Sequence, residues 1–64
     1  MNQHWWGYLH TNGSIQAKRV LWTYADDYAD AYKSPFVKQV FPAFDASSRE
    51  DAIAIISNRL KALQ

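Results

Sequence analysis

The chain has 64 residues, seven of them basic and six acidic, with a net charge of +1 at pH 7, three Trp, four Tyr, three Phe and no cysteine. That length holds one domain, and the missing thiols exclude disulfides, thiolate zinc sites and cysteine nucleophiles. The balanced charge does not by itself advertise nucleic-acid binding, and no apolar run of about 18 residues offers a transmembrane helix.

A domain this short buries only about 60% of the surface that its unfolded chain exposes. Without disulfides its stability must come from an efficient core, and each aromatic ring can bury roughly 150–250 Å². The opening MNQHWWGYLH has no basic flank followed by an aliphatic segment, so it does not read as a signal peptide. With the absence of cysteine, this sets the expectation of a cytoplasmic protein.

The stretch His4–Val20 predicts a β-hairpin, because Asn12-Gly13 lies between two runs rich in aromatic and β-branched residues. A two-residue type I′ loop needs positive φ at both central positions, which Asn and Gly tolerate best. That loop would set Tyr8 opposite Ala17, Gly7 opposite Lys18, Trp6 opposite Arg19 and Trp5 opposite Val20. One face would then carry Trp6, Tyr8, Ile15, Ala17 and Leu21, with His10 and Arg19 among them. The other would carry Trp5, Leu9 and Val20 with Gly7, Gln16 and Lys18. Val20, Leu21 and Trp22 break the alternation, so the strand ends near Leu21 or a bulge at Lys18-Arg19 redirects it.

Thr23 and Asp26 have the spacing of a capping box, opening a helix over about 24–33. Its Tyr24, Tyr28 and Tyr32 form an aromatic ridge whose favoured role is core, with Tyr24 the most exposed of the three. Asp26, Asp27 and Asp30 fall largely elsewhere on the helix, whereas residues 1–25 carry Lys18 and Arg19 and no acid. Charge is thus segregated by element. Ser34-Pro35 ends the helix, and a strand follows over about 36–44, with Phe44 and Phe41 on opposite sides and Pro42 marking an edge. Ser47 and Glu50 form a second capping box. The last helix, about 48–63, is amphipathic through Ala52, Ile53, Ile56, Leu60 and Leu63.

The segment Phe44-Asp45-Ala46-Ser47-Ser48-Arg49-Glu50-Asp51-Ala52 resembles the strand-to-helix junction of AP2-type DNA-binding domains, and a similar one in peptidoglycan-binding SPOR domains. The likeness consists of a cap with a core Phe and Ala, so it implies a local turn and no functional residue.

No catalytic, cofactor-binding or metal-binding set emerges. His4 and His10 are roughly 20 Å apart along a strand, too far to share a metal. Asp26 and Asp30 offer too few oxygens for a divalent cation. No nucleophile is grouped with a base. The expected fold is a single α+β domain spanning 1–64 in the order β-β-α-β-α, with the sheet order 2-1-3 and two packing helices. The helices cover both faces of the sheet, or both lie on the Trp6 face and leave the Trp5 face open. The second arrangement gives a candidate interface of Trp5, Leu9, Gln16, Lys18, Val20 and Phe41, for a protein partner or a second copy. The expectation is therefore a non-enzymatic binding domain without cofactor or membrane segment. The alternative is a nucleic-acid accessory domain that stacks bases on hairpin aromatics beside Lys18 and Arg19.

Overall fold

A computed structural model describes residues 2–62; Met1, Leu63 and Gln64, and with them the predicted end of the last helix, lie outside the described residues. The elements follow the predicted order: β1 (Gln3–His10), β2 (Ile15–Arg19), α1 (Tyr24–Lys33), β3 (Val37–Ala46) and α2 (Arg49–Ala62). The sheet has the order β2-β1-β3, and β1 pairs antiparallel with both neighbours.

The hairpin register differs from the predicted one by a single residue. Trp5 faces Arg19, Trp6 faces Lys18, Gly7 faces Ala17, Tyr8 faces Gln16 and Leu9 faces Ile15. The cause is a three-residue loop, Thr11-Asn12-Gly13. The His10 amide donates to the Ser14 carbonyl at 2.8 Å, and the Gly13 amide donates to the His10 carbonyl at 2.9 Å. Among the described residues only Gly13 has positive φ, at 93°, so Asn12 does not adopt the conformation that a type I′ loop demands. Its Oδ1 instead accepts from the Ser14 amide (2.9 Å) and hydroxyl (2.7 Å), fixing a turn that ends in a left-handed glycine. A shift of one residue exchanges the faces of every β2 side chain.

Trp5, Gly7 and Leu9 therefore share a face with Ile15 and Ala17, and α2 packs on it. Phe41, Phe44, Ala46, Ala52 and Ile56 complete this core, with Ile53, Ile55 and Leu60 packed at its margin. Gly7 permits the close approach. A Cβ there would fall 2.5 Å from Cδ1 of Ile56 and closer still to the Gln16 carbonyl oxygen. The Trp5 indole N–H donates to the Ala46 carbonyl at 3.2 Å, which satisfies the one polar atom that this ring buries.

Strict alternation in β3 would separate Phe41 from Phe44, but the strand is bulged. From Trp5 to Gly7 on β1, the partner moves from Phe44 to Phe41, one residue more. The extra length falls at Pro42-Ala43, where a residue without an N–H costs the ladder least. Both phenylalanines thereby reach the α2 face. A second irregularity lies between Leu9 and His10. The irregularities belong to β3; β2 ends at Arg19 and runs in unbroken register with β1.

The other face of the sheet carries Trp6, 2% exposed, under α1. Its ring lies 5.8 Å from Tyr24 and 5.9 Å from both Tyr8 and Tyr28. The two helices thus cover opposite faces. Tyr24 is half-buried, with its hydroxyl accepting from the Ala43 amide at 3.1 Å, and Tyr32 is the exposed member of the ridge. Both caps also depart from the predicted boxes. The Thr23 hydroxyl donates to Asp27 at 2.8 Å, with no bond to a helix N–H. At α2, Ser48 Oγ accepts from the Asp51 amide at 3.1 Å, and the Asp51 carboxylate reaches back to the Ser47 amide and hydroxyl. The second box therefore lies one residue later than predicted, with Asp51 in the place given to Glu50.

Candidate functional site: the surface on the α1 side

The six candidate interface residues do not form one surface. Trp5 and Phe41 are buried under α2 at 6% and 4% exposure, and Leu9 packs against the same core. Val20 follows the end of β2, half-buried, with its amide donating to the His4 carbonyl at 2.9 Å. Gln16 and Lys18 are exposed on the opposite face, beside Tyr8 and Trp6. The three-residue loop and the seating of α2 together produce this division. Lys18 accordingly has no path to the Trp5 ring; its Nζ lies 5.9 Å from the Tyr8 ring centroid. Arg19 faces Trp5 rather than Trp6.

Exposed apolar surface occurs elsewhere. Trp22 is 94% exposed, next to an exposed Leu21, in the link from β2 to α1. Tyr32 and Phe36 are exposed near the far end of α1, where Phe36 stacks on His10 at 6.3 Å with 17° between ring planes. The sequence placed Trp22 within an apolar triplet but gave no sign that its side chain would stand free of both helices.

Helix α1 leaves a hollow on each flank. Toward the free edge of β3, Tyr28, Tyr32, Val37, Lys38, Gln39 and Val40 line an open depression of about 580 Å³. Toward β2, Trp6, Tyr8, Lys18, Asp27, Asp30, Ala31, Ser34 and Val37 line a second of about 360 Å³. The first mixes two tyrosines and two valines with Gln39 and one cation, Lys38. The second has an aromatic floor, two carboxylates on its helical wall and an ammonium opposite.

His4 Nδ1 and Asp45 Oδ1 are 2.7 Å apart on open surface, with side chains 74% and 63% exposed. Neither residue lines a hollow. Among the described residues no group of three or more His, Cys, Asp or Glu is placed to hold a metal ion, and no helix is long and apolar enough to cross a membrane. No protein-family model, curated protein or solved structure matches this chain.

Proposed function

We propose that the chain is a small non-enzymatic binding domain that acts by protein–protein contact through the exposed aromatic residues around α1. The observation that carries this reading is Trp22, 94% exposed in a chain whose other two tryptophans are nearly sealed. A solvent-facing indole beside Leu21 does nothing for the core, and tryptophan is the residue type most enriched among binding hot spots. Tyr32 and Phe36 supply further exposed rings. A cysteine-free composition suits the reducing cytoplasm that this reading assigns it. The absence of enzymatic activity is part of the same proposal. It is supported by the open setting of the His4–Asp45 pair, since a general base works from a cleft where a substrate can be held.

The nucleic-acid alternative has less support. Asp27 and Asp30 share the hollow with Lys18, and Arg19 lies on the other face, so the two cations of the hairpin do not form one basic patch beside the Tyr8 ring. A photo-cross-linking residue installed at position 22, at 32 and at the exposed Ala54 on α2 tests the proposal. Adducts of defined mass are expected from positions 22 and 32 and not from 54. Adducts from none of the three, or from 54 alone, would contradict it.

A further inference from the structure

The two outer strands close the sheet in different ways. The ladder between β1 and β2 is bracketed by two bonded pairs. The His10 amide donates to the Ser14 carbonyl at 2.8 Å, and the Val20 amide donates to the His4 carbonyl at 2.9 Å. Bonded and non-bonded pairs alternate along an antiparallel ladder, and the register between these two pairs is unbroken. Gln16 and Lys18 therefore turn their backbone groups toward β1, while Ile15, Ala17 and Arg19 turn theirs outward. No strand of the sheet lies beyond β2, and no hydrogen bond among the described residues engages those outward groups.

Strand β3 is the contrast. Its register with β1 is broken twice, Pro42 has no N–H to offer, and the Ala43 amide donates to the Tyr24 hydroxyl at 3.1 Å. Bulges and proline are the usual means by which an exposed edge is kept from pairing. In β2 neither occurs. A straight row of unpaired backbone groups is a template for an added strand.

Charge selects what is added. Arg19 is exposed on the α2 face and makes no ion pair among the described residues, whereas Lys18 shares its hollow with Asp27 and Asp30. A second copy paired about Ala17 would match every outward group. It would also set Arg19 against Ile15 and bring two Lys18 side chains to diagonal positions, where like charges repel. A segment with a carboxylate opposite Arg19 answers the free charge instead. The end of β2 also leads directly into Leu21 and Trp22, both exposed.

We propose that the outer edge of β2 receives an extended, acidic segment of a partner protein as a fourth strand, with a carboxylate facing Arg19. The inference rests on the reading of the chain as a protein-binding domain and names the partner's form and charge. Backbone bonds from Ile15, Ala17 and Arg19 hold the segment, and the guanidinium chooses acidic side chains over basic ones.

An amide-resolved NMR titration at low ionic strength tests the assignment. The probe is an octapeptide alternating valine and glutamate, and its counterpart alternating valine and lysine is the control. The glutamate peptide is expected to shift the amides of Ile15, Ala17 and Arg19 and slow their exchange with solvent, leaving Val40 on β3 unmoved. The lysine peptide is not expected to bind. Arg19→Gln lowers affinity about two- to fivefold. Arg19→Pro removes an outward N–H and no ladder bond, so the fold is expected to survive and the loss to exceed that of Arg19→Gln. Far-UV circular dichroism confirms that each variant is folded; if Arg19→Pro is not, the amide map and Arg19→Gln decide. Absence of binding by the wild type would overturn the proposal, as would equal binding of the two peptides, shifts confined to residues outside β2, or unchanged affinity in Arg19→Gln. Any of these would leave cross-linking from positions 22 and 32 unaffected, so the broader reading stands or falls separately.

Discussion

Trp5 and Trp6 are neighbours in sequence, and each is buried, yet they belong to two differently built halves of the molecule. On the Trp5 side, α2 lays Ala52 and Ile56 onto a floor made low by Gly7 and Ala17, and the aliphatic side chains close the layer. On the Trp6 side, α1 covers the indole with tilted and edge-on tyrosines and leaves an open hollow on either flank. One face is finished by packing, whereas the other is covered only where Trp6 requires it. The difference teaches that a short sheet can close one face by dense packing and cover the other only in part, while burying a tryptophan on each.

The largest expected effects test whether both faces are closed over their tryptophans. Trp5→Ala and Trp6→Ala are each expected to cost about 3–5 kcal/mol, measured by urea denaturation. A domain of this length has only about 3–10 kcal/mol of stability to lose. A Trp5→Ala variant of wild-type stability would show that α2 does not seat on the sheet as described. Gly7→Ala comes next, at about 1–3 kcal/mol, because its methyl group would collide with Ile56 and with backbone. Gly13→Val is expected to cost a similar amount, about 1–3 kcal/mol, for a different reason: its site has open space, but φ is 93°. An unchanged denaturation midpoint for Gly13→Val would remove the left-handed glycine from the turn. The smallest effect belongs to Trp22→Ser, expected within about 0.5 kcal/mol of wild type in the same melt.

Much of the fold was legible because local signals agreed with one another. The apolar spacing of Ala52, Ile53, Ile56 and Leu60 marked α2, the Ser34-Pro35 pair marked the end of α1, and the order β2-β1-β3 followed from a helical crossover between parallel strands. What failed was register. Asn-Gly is compatible with both a two-residue and a three-residue loop, and the choice rested on side-chain bonding by Asn12 that no pattern displays. That one residue moved Lys18 and Gln16 to the Trp6 face and Ala17 into the core. The bulge at Pro42-Ala43 was equally hidden: Pro42 signalled an edge, but not that Phe41 and Phe44 would share a side. The candidate interface inherited the register error in Gln16 and Lys18, whereas Phe41 does lie on the Trp5 face and that surface is closed by the seating of α2. Charge segregation along the chain was legible, whereas the hollow that joins Asp27 and Asp30 to Tyr8 needed the register and the helix placement together.

The claim that the two faces do different work is tested most directly by comparing urea midpoints for Ile56→Ala and Tyr8→Leu. Ile56 is fully buried at the centre of the α2 layer, while Tyr8 is half-buried on the floor of an open hollow. Ile56→Ala is expected to lose about 2–5 kcal/mol and Tyr8→Leu no more than about 1 kcal/mol, the centre of the range for point substitutions. Equal losses from the two variants, or a greater loss from Tyr8→Leu, would contradict the division.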